Sequence, residues 1–476
     1  MTESLKNKTA KGVLWSTIER FSVQSVQFCI MIIMARLLTP QDYGLIGMLV
    51  IFLAIAQSLI DSGFSQALIR KYPRTETDNS TVFYFNIIVA VFIYLLLYFV
   101  APYVSIFYNI PALTSVMRVI CLGVVLNSLA VVQRALFTVN IDFKTQAKAA
   151  FIAAVSSGFV GIVMAYKGYG VWSLVFQQLL NLSINTGLLW IFSKWRPSWM
   201  FSWRSFRELF AFGSKLLLSG LLDTVYRNIY PIVIGKLFSA SNLGHYTRAQ
   251  QFADFPSSNV TGIIQRVTYP VLCTIQKDDE RLAGVYRRVL KLVSFVVFPM
   301  MMGLSALAVP FIHIVIGDQW SLCAKLLQVL CFSMMWYPVH AINLNLLQVK
   351  GRSDLFLRLE IIKKILGISV LCLTAPLGLV VMCYGQVFNS LVALAINTYY
   401  TGKLINVGFF KQMRDLMPTL LLSLSMFGLI WIISHFVSNQ IYQLLAGILS
   451  GIIYYTSISY FCRFSELQEF FSLIKR

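Results

Sequence analysis

The chain is 476 residues long, 58% hydrophobic and only 12% charged. That excludes an ordinary soluble globular protein, in which charged residues make up about a quarter. At about 20 apolar residues per helical span, this composition fills about 12 to 14 membrane spans and leaves little for an aqueous domain. The 39 Lys+Arg against 19 Asp+Glu give a net charge of +20, an excess that marks either a nucleic-acid face or a membrane topology, depending on where the cations fall.

From the N-terminus, Lys6, Lys8 and Lys11 lead into an apolar stretch that is longer than a signal h-region and carries Glu19 and Arg20. It reads as an uncleaved first span. Apolar stretches closed by Pro, Gly or charge then predict fourteen spans: 11–36, 43–63, 81–107, 112–136, 147–166, 169–192, 207–235, 243–267, 287–316, 324–347, 355–375, 378–400, 416–436 and 440–462. The eight cysteines lie in or beside these stretches without a CxxC pair and read as packing thiols.

An even number of spans puts both termini on one side. With that side cytoplasmic, about 30 of the 39 Lys+Arg fall in cytoplasmic segments, while Arg36, Lys167, Lys236 and Lys325 fall outside. The positive charge is then a topology signal, and nucleic acid drops out as a partner, because it needs a basic face on a soluble module.

A weak internal repeat runs at about 200 residues. ARLLTPQDYG, ending at Gly44, answers GKLFSASNLG, ending at Gly244, and Gly170, Gln178 and Asn181 answer Gly378, Gln386 and Asn389. The expected organisation is all-α and membrane-embedded: an N-lobe of spans 1–6 (1–192), a cytoplasmic linker (193–206), a C-lobe of spans 7–12 (207–404), and two appended spans with a cytoplasmic tail (405–476). The linker, with its Trp residues, cations and Pro197, is expected to form an interfacial helix. Two lobes related by an axis along the membrane normal suit a transporter. The short predicted outer loops leave no room for the catalytic loops of a membrane glycosyltransferase or polymerase, the alternative from another class.

Several segments carry a resemblance: ARLLTPQDYGLIGM, DSGFSQALIRK, YKGYGVWSLV, IGKLFSASNLGHYTRAQ, YPVLCTIQKDDERL, IGDQWSLCAKLLQVL and LLQVKGRSD. In this order they resemble the polysaccharide-transporter (Wzx-type) flippases of the MOP superfamily, especially the colanic-acid and teichuronic-acid exporter branch. The resemblance implies fourteen transmembrane helices in two pseudo-symmetric six-helix lobes plus two appended ones, a MOP/MATE-like fold. It implies translocation of an undecaprenyl-diphosphate-linked oligosaccharide across the bacterial cytoplasmic membrane by alternating access. It also implies no cofactor, a proton or sodium gradient as the drive, and a polysaccharide polymerase and chain-length regulator as partners beside membrane lipids. A multidrug or lipid II exporter of the same superfamily is the nearer alternative.

Ionisable groups inside spans are costly and are therefore the first candidates for a polar pathway. Span seven carries Lys215, Asp223 and Arg227 within about 120° of one another on a helix, with Tyr226 and Tyr230 close by and Pro231 placed to kink it. Its repeat partner, span one, carries Ser16, Glu19, Arg20, Gln24 and Gln27 in a similar arc. The substrate-binding candidates are Arg20, Gln24, Gln27, Arg118, Lys215, Arg227, Tyr230 and Arg248, and the cation-coupling candidates are Glu19, Asp61, Asp223 and Asp254. The plainer readings are that Asp223 and Arg227, one turn apart, only glue helices, that Arg118 and Arg248 snorkel to the outer edge, and that Asp61 pairs with Arg70 or Lys71. Glu360, Lys363 and Lys364 read as a solvated helix start. The four histidines show no metal-ligand spacing, and no phosphate-binding glycine loop or nucleophile-elbow serine is present. In the candidate lining, five cations (Arg20, Arg118, Lys215, Arg227 and Arg248) against three carboxylates (Glu19, Asp223 and Asp254) favour an anionic substrate over a cationic drug.

Overall fold

The computed structural model describes residues 23–61 and 64–474, and among them secondary structure is helical throughout, without strands. That follows from the medium, since a chain crossing hydrocarbon has to satisfy its backbone polar groups within each segment. Among the described residues, ten segments are long and apolar enough to cross a membrane. They comprise α2 with α3 (Pro40–Asp61 and Phe64–Arg70), α4 (Glu76–Tyr108), the run of α5 (Ala112–Ile120), α6 (Leu122–Ser128) and α7 (Val131–Val139), α8 (Phe143–Tyr166) and α9 (Val171–Phe192). In the second half the spanning segments include α13 (Asp279–Ala306), the run of α15 (Ser321–Met334) and α16 (Tyr337–Val349), α18 (Leu379–Ile405), α19 (Phe409–Phe436) and α20 (Gln440–Phe461).

The other four predicted spans also coincide with helices. They are α1, described over Val23–Leu37, α10 (Trp203–Arg227) continued by α11 (Ile229–Leu237), α12 (Ala240–Thr274), and α17 (Ser353–Thr374). Polar residues keep α10, α12 and α17 out of the apolar class, and α10 and α12 are helices on which the sequence places candidate site residues. The short helices α14 (Ala308–Val315) and α21 (Ser465–Ile474) complete the chain.

Helix ends follow local chemistry. Thr75 and Asp78 close a capping box at the start of α4, and Asn109, in the left-handed region at φ 56°, ends it. Between α10 and α11 the helix breaks at Asn228; Pro231 lacks the N–H that would bond back across that point. The linker departs from expectation. Residues 193–202 are not a helix but an extended strap, and α10 starts only at Trp203. The strap lies across the first turns of α4: Trp195 Nε1 donates to Glu76 Oε2 at 2.6 Å, the Ser198 amide to Ser80 Oγ at 3.1 Å and the Ser202 amide to Thr81 Oγ1 at 3.0 Å. Those bonds supply what a helix would otherwise have satisfied internally.

By packing, the chain forms two compact units, one ending at Gly244 and the other beginning at His245. In the first, α8 lies along α9, α4 along α5 and α6, and α10 against α2, α3 and α4. At one end of this unit Phe64, Leu68, Phe83 and Leu209 form a buried cluster with Trp190, Trp195 and Phe206 packed on it. In the second, α13 packs on α19 and α15, α18 on α15 and α17, and α19 on α20. The packing boundary is distinct from the sequence repeat: α10 and α11, which open the second repeat, pack with the first unit.

The repeat itself has a structural counterpart. Thr39 and Asp42 cap α2 reciprocally, and Ser239 accepts from the Asn242 amide at the start of α12 at 3.1 Å.

Candidate polar site of the first unit

The site is built on the C-terminal half of α2. Gln57, Ser58 and Asp61 lie within about one turn there. Asp61 Oδ2 accepts from Gln57 Nε2 at 3.1 Å. Gln57 Oε1 in turn accepts from Asn127 of α6, and Arg134 of α7 donates Nη2 to the side chain of Asn127 and to its carbonyl, the latter at 3.0 Å. The field of Asp61 acts on the Arg134 guanidinium. An acid and a base in two helices are thus joined through two neutral amides.

On the other side, Ser58 Oγ meets Thr224 Oγ1 of α10 at 3.1 Å. Thr224 lies between the candidate charges. Asp223 Oδ2 and Arg227 Nε are 2.7 Å apart, with side chains 43% and 77% exposed. This ion pair sits about midway along predicted span seven and presents most of the guanidinium to its surroundings. Charge in hydrocarbon costs about 2.5–3.5 kcal/mol per residue at a helix centre, so such a face is stable where water reaches it. Tyr230 follows on α11, beyond the break, and is half-buried.

Lys71, outside the spans, is committed elsewhere: Nζ lies 2.9 Å from Asp78 and 3.0 Å from Glu208. Burial lowers the pKa of this ammonium, but the hydrogen bonds and charges of Asp78 and Glu208 outweigh it and hold it above the ordinary lysine value.

Other candidates stand apart. Arg118 stacks on Tyr98, its guanidinium carbon 4.2 Å from the ring centroid, and donates Nε to the Tyr98 carbonyl at 3.3 Å, which ties α5 to α4. Gln24 and Gln27 lie on α1, half-buried and exposed. Glu19 and Arg20 lie outside the described residues, as does the side chain of Lys215. In the second unit, on α12, Arg248 Nη1 donates to Gln251 Oε1 at 2.6 Å and Gln250 Nε2 to Asp254 Oδ1 at 2.8 Å. Among the described residues no three His, Cys, Asp or Glu side chains gather as a metal site.

Sequence reasoning missed Arg134, Gln57 and Asn127. Arg134 lies at the inner end of predicted span four, where its sequence position alone does not separate it from loop cations; the spacing of Gln57 and Asp61, one turn apart on an apolar helix, is the available signal. It also missed that Glu360 and Lys363 pair with each other with side chains only 27% and 14% exposed.

A family model described as "Polysaccharide biosynthesis protein" matches residues 33–325, more than half of the chain. Among curated proteins, the teichuronic acid biosynthesis protein TuaB of Bacillus subtilis (strain 168) is 24% identical over 460 residues, covering 95% of each chain. Among solved structures, the lipid II flippase MurJ in an inward closed conformation superposes with a TM-score of 0.79 at 13% identity, covering 95% of this chain and 99% of that one. An inward-facing MATE family multidrug transporter of the MOP superfamily gives 0.63 at 14% identity, covering 81% and 98%. At these identities the structural likeness establishes the fold, that of MOP-superfamily transporters.

Proposed function

This chain belongs to the polysaccharide biosynthesis protein family, and we propose that it is a flippase carrying an undecaprenyl-diphosphate-linked oligosaccharide from the inner to the outer leaflet of a bacterial cytoplasmic membrane. The observation that carries the reading is the Asp223–Arg227 pair, exposed in the middle of a spanning helix and continued through Thr224 and Ser58 to Asp61, Gln57, Asn127 and Arg134. A diphosphate cannot cross about 30 Å of hydrocarbon unaided at a useful rate. A wet, cationic wall provides the passage, and the large free surface of Arg227 is suited to a bidentate hold on phosphate oxygens.

Transport by alternating access, with both termini cytoplasmic and a cation gradient as the drive, completes the proposal. Bond-making is left to partner enzymes, a polymerase and chain-length regulator among them. The multidrug reading draws on the MATE likeness, but a cationic drug calls for a net acidic wall, and the candidates here lean the other way. Deletion of the gene in its host is the cellular test. Lipid-linked repeat units should still be made and should accumulate facing the cytoplasm, and loss of their synthesis instead would contradict the proposal.

A further inference from the structure

His340 of α16, in the second unit, is wired on both ring nitrogens to α18. Nε2 lies 3.0 Å from Ser390 Oγ and Nδ1 lies 3.2 Å from Asn397 Nδ2. Ser390 and Asn397 are seven residues apart, two helical turns, and so share a face. An amide nitrogen only donates, so Nδ1 is the acceptor and the ring proton sits on Nε2, directed at Ser390. Ser390 passes its own hydrogen to the Ser333 carbonyl at 3.2 Å. The bonding pattern thus holds a neutral imidazole in one tautomer. Asn397 is 1% exposed, and its Oδ1 is buried with no hydrogen-bond partner among the described residues. The amide therefore keeps an acceptor in reserve beside the ring.

The surroundings are defined. On α17 the Lys363 ammonium acts electrostatically on the ring and is itself paired with Glu360, with Lys364 the next residue. On α13, which also packs on α16, Tyr286 is fully buried, and Arg287 and Lys291 are engaged by Asp415 of α19. On α15 and α18 the ionisable groups are Cys323, Lys325, Cys331, Cys383, Tyr384, Tyr399, Tyr400 and Lys403. No carboxylate on α16 or α18 stands ready to receive an imidazolium, but the unused Asn397 oxygen does. His340 is half-buried.

We propose that His340 is a proton-binding site and that Asn397 reads its occupancy. A proton taken from water onto Nδ1 would face the Asn397 N–H as donor against donor. Rotation of the amide by half a turn removes the conflict, because Oδ1 then accepts from Nδ1–H while Nε2–H keeps Ser390. No covalent bond other than the new N–H is made or broken. The inference rests on the transport reading in one respect, in that it names the proton as the coupling ion and the α16–α18 interface as the place where it acts.

The test uses the full-length protein in lipid nanodiscs with ¹⁵N-labelled histidine; there are four histidines, and His340→Gln assigns the signal by its disappearance. The Nε2–H neutral tautomer is expected at neutral pH, giving way to imidazolium on acidification. Asn397→Asp, which offers a permanent acceptor, should raise the proton affinity by about tenfold or more, one pH unit. An Nδ1–H tautomer, or a titration unmoved by Asn397→Asp, overturns the site. In proteoliposomes with an imposed pH gradient, His340→Gln should transport without responding to the gradient. Transport with an unchanged gradient response would sink the coupling role alone, whereas absence of transport in the unaltered protein would sink the flippase reading and leave the histidine titration standing. If His340→Gln does not fold, the tautomer and the Asn397→Asp titration decide the matter by themselves.

Discussion

Gly44 and Gly244 make a reciprocal contact. A Cβ on Gly44 would lie 1.7 Å from the carbonyl oxygen of Ala240, four residues before Gly244, and a Cβ on Gly244 would lie 1.9 Å from the carbonyl oxygen of Pro40, four residues before Gly44. The two glycines are the ends of the two matching sequence segments, so the duplication appears in space as two helix starts, α2 and α12, laid backbone to backbone. Only glycine permits that approach, because the obstructing atoms are main-chain and cannot rotate away.

Gly44→Val should therefore force the starts of α2 and α12 apart. In a background freed of native cysteines, a thiol at Ala240→Cys should react faster with a membrane-impermeant maleimide added outside when residue 44 is Val than when it is Gly. Equal rates would show that the contact does not protect this turn.

Arg227 and Asp223 separate a working pair from a structural one. Because both side chains are well exposed, neutralising both, as in Asp223→Asn with Arg227→Gln, should change thermal stability little, by within about 1 kcal/mol. Transport should fall at least about tenfold, the cost of one lost charge-assisted contact of about 1.5–3 kcal/mol to the diphosphate. Arg227→Ala alone should be worse in expression, since it removes the guanidinium bonded to the Asp223 carboxylate and keeps that charge in the span. Wild-type transport in the double variant would mean the pair only holds helices together.

Lys71 makes the opposite prediction. Its partner Asp78 is almost wholly buried, with a side chain 2% exposed, so Lys71→Met strands a carboxylate and should destabilise the first unit by about 3 kcal/mol, read as a lowered midpoint of thermal unfolding in detergent. Because the folded-state pKa is raised, the stabilisation is fully present below the ordinary lysine pKa and is lost as pH rises through the folded value. The destabilisation of Lys71→Met should therefore be constant across neutral pH and shrink only in strong alkali.

Orientation is checked separately. Reporter fusions after Ile110 and after Gly317 should behave as extracytoplasmic, and a fusion after Lys277 as cytoplasmic. A reversed pattern at any two of these positions would invert the topology.

The sequence was most legible where one physical demand dominated. Over the described residues, apolar length placed the predicted spans on helices, including α17, where five charged residues from Asp354 to Lys364 cut into the apolar run. The repeat was legible at Gly44 and Gly244 because close backbone approach tolerates no other residue. The strap at 193–202 was not, since its course is decided by hydroxyls on another helix, Ser80 and Thr81, that no local pattern reveals. The site was half legible. Charges within spans drew attention to Asp61, Asp223 and Arg227, whereas Gln57, Asn127 and Asn397 act through amide hydrogen bonds to partners about 60 to 70 residues away in sequence, a distance that helical periodicity does not reach.

The central claim is translocation without chemistry, and reconstitution tests it most directly. The purified chain, placed in liposomes that carry a lipid-linked oligosaccharide with a diphosphate bridge on the inner leaflet, should bring the glycan within reach of an external lectin or glycosidase. The recovered lipid should be chemically unchanged, and liposomes lacking the protein should show no exposure. Formation of a new glycosidic bond, or no exposure above protein-free liposomes under either direction of ion gradient, would contradict the account.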